Sequence, residues 1–199
     1  AKLKELVDAA HAKGLYVLLD GVFGHTITDQ IPASPSGFVP VMKAASTGFT
    51  VDYTAQASID FFKEVATHYV TEYGIDGWRL DQAYQVPPAV WTEIRTAVEA
   101  AAATRKTAGE TWGTLGYMVG EVWKGAGEIS SSAYGPASSP ALKSAFDFPL
   151  RYGVLHAFGS GEDGEKGDAT HLNASWNDIS NYPLHAMPNL MLGNHDLVR

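Results

Sequence analysis

The 199-residue chain has no cysteine, which excludes a disulfide framework, a thiolate nucleophile and a Cys-ligated zinc site. Long apolar runs are missing too. Stretches such as Leu15 to Leu19 fall far short of the ~20 residues that a membrane span needs, so no membrane span is expected. Positive charge is scarce: 14 Lys and Arg stand against 22 Asp and Glu, a formal charge of −8. A nucleic-acid backbone would on average be repelled, and a neutral substrate fits better. There is no His-x-His or His-Glu-x-x-His spacing to preset a metal site, and no phosphate-cradling glycine signature. No initiator Met or signal segment precedes the first helical stripe, and the last residues read as the start of a loop, so the chain reads as an excerpt. What is present, 45% hydrophobic and 11% aromatic residues, is an ordinary globular profile with material for one core.

The apolar positions Leu3, Leu6, Val7 and Ala10 predict a first helix, stopped by Gly14. Leu15 to Leu19 is apolar throughout and ends in Asp20, as in a strand buried on both faces of a parallel sheet. Residues 26–50 carry Pro32, Pro35, Pro40, Gly37 and Gly48, too many breakers for regular structure, and predict a loop insertion. Helical spacing returns over Ser58 to Tyr73, closed by Gly74. A short strand is expected over Asp76 to Asp81, a helix from Pro87 and Pro88 to Ala101, and a strand over Tyr117 to Val122. Ser144 to Phe148 is a weaker strand, Leu150 to Phe158 starts a helix, and residues 159–168 form a polar turn-rich loop. The helical signal over 174–181 is poor, and Asn189 to Gly193 reads as a final strand.

Strands alternating with helices imply parallel strands and right-handed crossovers. Without dinucleotide-type glycines, a (β/α)8 barrel of the TIM type is favoured over an open doubly wound sheet. Polar residues gather at the predicted strand ends: Asp20 and His25, Arg79 and Asp81, Glu121, then Asn194, His195 and Asp196. In a parallel barrel those ends share one face. Three carboxylates, Asp81, Glu121 and Asp196, with one Arg and two His suit acid/base and nucleophilic work on a glycosidic bond.

Four segments carry a more specific signal: Asp20-Gly21-Val22-Phe23-Gly24-His25, Gly77-Trp78-Arg79-Leu80-Asp81, Gly120-Glu121-Val122-Trp123 and Asn194-His195-Asp196. Each is short, but their order along the chain and their place at strand ends resemble the four signature segments of the alpha-amylase family of glycoside hydrolases. The resemblance spans nearly all of the chain and implies a partial catalytic barrel over residues 1–199, roughly strands three to seven of eight, with the insertion at about 26–50. It implies Asp81 as nucleophile, Glu121 as general acid/base and Asp196 as the carboxylate that stabilises the transition state. His25 and His195 would contact sugar hydroxyls, Arg79 would hold Asp81 ionised, and Asp20 would orient the cluster. Trp123 is a candidate to stack on a sugar face. Retention of configuration calls for Asp81 and Glu121 carboxyls about 5–5.5 Å apart.

Two departures from the family pattern stand out. Where many amylases have an Asn that ligates a structural calcium, this chain has Gly24, and where many have a Lys-His pair it has Tyr84-Gln85. No cofactor is required by the motifs. Calcium is the one metal that the resemblance raises, and the acidic stretch from Glu162 to Asp168 lacks EF-hand spacing.

The expected function is therefore a retaining hydrolase or transglycosylase of alpha-glucosidic bonds in starch-like or maltooligosaccharide substrates. The alternatives are, from another class, a catalytically silent sugar-binding or assembly fragment of such a barrel and, third, a metal-dependent hydrolase barrel with His25, His195 and the acids as ligands. The ordinary reading of the acids and Arg79 is a set of structural ion pairs, and His11, His68, His156, His171 and His185 read as surface or packing residues. Five strands cannot close an eight-stranded barrel, so self-association through open sheet edges is expected. Export to the cell exterior or periplasm is the expected location, by analogy with glycan-degrading enzymes.

Overall fold

A computed structural model describes residues 2–159 and 168–197. In chain order the elements are α1 (Lys2–His11), β1 (Leu18–Val22), β2 (His25–Thr26), β3 (Met42–Ala44), β4 (Phe49–Val51), α2 (Gln56–His68), β5 (Gly77–Asp81), α3 (Pro88–Thr107), β6 (Tyr117–Gly120), α4 (Ala126–Ile129), β7 (Ser144–Phe146), α5 (Phe148–Phe158), α6 (Ala169–Ile179) and β8 (Met187–Asn189). Five strands form one parallel sheet in the order β1-β5-β6-β7-β8. Sequential parallel strands need crossovers, and α2, α3 and the helices after β6 and β7 supply them. The result is one arc of a (β/α) barrel wall. A helix long and apolar enough to cross a membrane does not occur among the described residues.

The core lies between the sheet and its crossover helices. α2 turns Ile59, Phe62 and Ala66 inward, and α3 turns Val90, Trp91, Ile94, Val98 and Ala102 inward, the recurrence expected of an amphipathic helix. Opposite them β5 supplies Trp78 and Leu80 and β6 supplies Met118. Phe23 sits at the centre, its ring 5.0 Å from Phe62, 5.5 Å from Trp78 and 5.7 Å from Trp91. Trp91 is fully buried and satisfies its indole N–H on the Ala83 carbonyl at 2.8 Å. Burying each such large side chain is worth roughly 1.5–3 kcal/mol. At Gly77 a Cβ would stand 1.8 Å from the Tyr117 carbonyl oxygen, so the close approach of β5 and β6 requires glycine at that position.

One buried carboxylate fixes the bottom of the sheet. Asp76, with no exposed surface, accepts from the Val17 and Gly113 amides at 2.8 Å each and faces His11 Nε2 at 2.8 Å. The His11 ring stacks on Trp112 at 4.6 Å. The cluster joins α1, the approach to β1 and the loop before β6, which makes His11 a packing residue, as the sequence suggests.

Five expectations are corrected. The first strand is Leu18–Val22, displaced toward the motif from Leu15 to Leu19, and it is not buried on both faces: Leu15 is 60% and Tyr16 59% exposed. β1 pairs only with β5 among the described residues, so its apolar side chains have a neighbour on one side alone. The 26–50 stretch is not free of regular structure, because β2, β4 and β3 form a small antiparallel sheet within and beside it. The final strand is Met187–Asn189 rather than Asn189 to Gly193. The weak 174–181 signal belongs to α6, which starts at Ala169 and ends at Ile179, with Asp168 accepting the Thr170 amide at 2.8 Å as its cap. Likewise α5 begins at Phe148, ahead of Leu150, because Asp147 caps it by accepting from Leu150 N at 3.0 Å. Most of the predicted 159–168 loop, with residues 162–167 of the acidic stretch, lies outside the described residues.

Candidate active site

Parallel pairing brings the motif residues to one end of the sheet. The β1–β5 register sets Asp20 opposite Arg79 and Val22 opposite Asp81. Alternation along β5 sends Arg79 and Asp81 to one face and the buried Trp78 and Leu80 to the other. Glu121 follows the last residue of β6, and its N–H still donates to the Leu80 carbonyl at 2.8 Å, which holds it level with Asp81.

Arg79 is the hub. Its Nη1 lies 2.7 Å from Asp20 Oδ1 and 2.8 Å from Asp81 Oδ1, and its Nη2 lies 2.7 Å from Glu121 Oε1. Its planar fork of donors serves several acceptors, which an ammonium cannot do in fixed directions. Desolvation works against the charged guanidinium, yet the hydrogen bonds to Asp20 and Asp81 and the charge of Glu121 outweigh it and raise its pKa above the ordinary Arg value. The accessibility of the acids is graded: the Glu121 side chain is 7% exposed, Asp81 22% and Asp20 54%. His25 Nε2 stands 3.9 Å from Asp81 Oδ2, close enough for charge to be felt but beyond a hydrogen bond. Beside His25, between the small sheet and α2, a cavity of about 270 Å³ is lined by residues that include Val22, Thr26, Met42 and Phe62.

The structure thus ties Asp20, His25, Arg79, Asp81 and Glu121 into one cluster. Asp196 and His195 are not joined to it by a hydrogen bond or ion pair among the described residues. They pair with each other at 3.2 Å, and the Asp196 amide donates to Asn194 Oδ1 at 3.0 Å. Trp123 directs its indole N–H to Tyr152 Oη at 2.8 Å and stacks on Phe148 at 5.1 Å, leaving the residue 41% exposed.

Sequence reading did not include the segment after Asp81 among the site residues. Gln82, in the left-handed region at φ 42, donates its backbone N–H to Glu121 Oε2 at 3.2 Å. Gln85 Oε1 lies 2.7 Å from His25 Nδ1. The one signal available was that Tyr84-Gln85 departs from the family pattern.

A calcium at the position that the resemblance raises does not fit the residues present. Gly24 offers no side-chain oxygen, and the space of its missing Cβ is taken by Gln85, whose Oε1 and Cβ would each be 2.4 Å away. Nor do three or more His, Asp or Glu among the described residues form a group able to hold a metal.

No family model matches the chain. A maltogenic alpha-amylase of Bacillus acidopullulyticus is 30% identical over 135 residues, 55% of this chain and 23% of that protein. Neopullulanase 2 of Thermoactinomyces vulgaris is 28% identical over 225 residues, 98% of this chain and 34% of that protein. The crystal structure of AmyP in complex with maltose superposes with a TM-score of 0.86 at 47% identity, covering 99% of this chain and 39% of that one. The chain belongs to the alpha-amylase family. As a member of it, the chain carries part of the family's TIM barrel, and the parallel sheet described above is that part. It spans well under half the length of these relatives. The cluster around Arg79 therefore lies at the C-terminal ends of barrel strands, the face on which TIM-barrel enzymes build their sites.

Proposed function

We propose that the chain forms the catalytic wall of a retaining glycoside hydrolase or transglycosylase acting on alpha-glucosidic bonds of starch-like or maltooligosaccharide substrates. The observation that carries the reading is the shared guanidinium, with Asp81 and Glu121 each within 2.8 Å of one Arg79. Two carboxyl groups gripped by one planar fork are neighbours. That suits the short separation of a retaining pair, expected at about 5–5.5 Å, better than the ~6.5–9.5 Å of an inverting one.

In this reading the Glu121 carboxyl donates its proton to the glycosidic oxygen as the Asp81 carboxylate attacks the anomeric carbon. The C–O bond to the leaving sugar breaks and an Asp81 glycosyl ester forms. Glu121, now a carboxylate, takes a proton from water, whose oxygen attacks the same carbon and releases Asp81. A sugar hydroxyl in place of water gives transfer. Arg79 donates to Asp81 and fixes the direction of its attack, and Asp20 braces Arg79 from the other side. His25 and His195 bond sugar hydroxyls, Asp196 stabilises the oxocarbenium-like centre, and Trp123 stacks on a neighbouring sugar. The glucan substrate is supported by the maltogenic alpha-amylase and neopullulanase among the relatives and by the maltose bound in the AmyP structure.

A mechanism-based fluoroglucoside tests the assignment in the full-length enzyme. The expected result is a covalent label on the peptide containing Asp81 and loss of turnover in Asp81→Asn. A label elsewhere, or full activity in Asp81→Asn, overturns it.

A further inference from the structure

The turn after Asp81 folds back over the site, and its side chains are bonded in sequence. Gln82 has φ 42 and is the one non-glycine residue with positive φ among the described residues, a conformation that persists where surroundings enforce it. Its Oε1 accepts from Tyr84 Oη at 2.7 Å and from Gln85 Nε2 at 3.0 Å. With its amide nitrogen committed to Gln82, Gln85 presents its oxygen to His25, and Oε1 lies 2.7 Å from Nδ1. An amide oxygen only accepts, so Nδ1 carries hydrogen. In the neutral ring Nε2 is then the lone-pair nitrogen, and it is the atom on the Asp81 side, 3.9 Å from Oδ2.

Gly24 is the steric counterpart. A Cβ there would stand 2.4 Å from both Cβ and Oε1 of Gln85, so glycine before His25 leaves the room that Gln85 fills. The two departures noted in the sequence, Gly24 in one motif and Gln85 after another, are halves of one contact.

We propose that Gln85 is a positioning residue: it holds His25 in the Nδ1–H form and turns Nε2 toward a sugar hydroxyl beside Asp81. Its catalytic consequence rests on the glycosidase reading above, whereas the tautomer does not. The full-length enzyme with ¹⁵N-labelled histidine, examined by long-range proton–nitrogen NMR where the ring is neutral, reports the tautomer directly, with His25→Asn assigning the signals. The expected wild-type spectrum shows His25 protonated at Nδ1. Gln85→Met, similar in size but without the acceptor, loses that preference and lowers kcat/KM on maltotriose about tenfold, the equivalent of one neutral hydrogen bond, at a nearly unchanged melting temperature. Gln85→Glu, which keeps an acceptor, restores the Nδ1–H signal. A wild-type ring protonated at Nε2 overturns the proposal, as does Gln85→Met with unchanged kcat/KM. An Nδ1–H signal that depends on Gln85 in an enzyme that cleaves no alpha-glucoside leaves the tautomer standing and removes the glycosidase reading instead.

Discussion

Arg79 Nη2 stands 2.7 Å from Glu121 Oε1 while Nη1 of the same guanidinium stands 2.8 Å from Asp81 Oδ1, so a single side chain sets the spacing of both carboxyls. Lysine would keep the charge but not the fork. Arg79→Lys in the full-length enzyme is expected to lower kcat/KM by about 10²-fold, the scale of a 1 Å misplacement of reacting groups. Arg79→Met should also destabilise the fold, because the Glu121 carboxyl, 5% exposed, loses the donor 2.7 Å away. Leaving a buried hydrogen-bonding group unsatisfied costs about 1–3 kcal/mol, and the more open Asp81 and Asp20 keep the value at the low end. Steady-state kinetics with urea unfolding checks both. Wild-type kinetics in Arg79→Lys would show that the fork does not set the geometry.

Two carboxylates outside the site predict opposite responses to acid. Hydrogen bonds from Thr54, then from Lys43, lower the Asp52 pKa from 3.8 to about 2. The unfolded chain binds that proton more tightly, so the contribution of Asp52 is fully present above about pH 4 and is lost as pH falls through about 2. Asp147 is raised above 3.8, chiefly by burial and against the lowering effect of the Leu150 amide. It binds its proton more tightly when folded, so stability falls as pH rises from 3.8 through its folded value. Asp52→Asn should flatten the acid loss. Asp147→Asn, which keeps a helix-capping side chain, should raise the melting temperature at pH 7 more than at about pH 3. Thermal melts across pH 2–7 decide, and equal shifts for Asp147→Asn at both ends would refute the burial cost.

Much of this arrangement is legible in the sequence because strand-end acids in a parallel sheet converge whatever their separation. Asp20, Arg79, Asp81 and Glu121 needed only the alternation of strands and helices to be placed together. What was illegible depended on neighbours. Leu15 to Leu19 has the composition of a buried strand, yet Leu15 and Tyr16 precede β1 and are exposed. Proline and glycine within 26–50 concealed β3, which is three residues long and pairs with β4. α6 buries no residue fully and so carries little pattern. It is placed by the Asp168 cap and by close packing on α5, where a Cβ at Gly153 would meet Ser175 Oγ at 2.5 Å. The Gly24–Gln85 contact joins residues from separate motifs, and periodicity has no access to such a pair.

The two margins of the sheet carry a last prediction. Along β1 and its approach, Leu15, Tyr16, Leu18 and Val22 are exposed, and at the other margin so are Met187, Leu190 and Leu192. Near β8, Leu150, Val154, Leu172, Trp176 and Leu190 line a cavity of about 420 Å³. β1 and β8 each pair on one side only among the described residues, which leaves rows of backbone donors and acceptors able to recruit another strand. Apolar side chains flanking such an edge favour association further. Expressed as these 199 residues alone, the chain is expected to run larger than its 21.3 kDa monomer in size-exclusion chromatography with light scattering. Val22→Lys and Leu190→Lys should shift it toward the monomer, since an edge lysine resists strand addition. A stable, monodisperse monomer of the unsubstituted chain would mean that neither margin recruits a second copy.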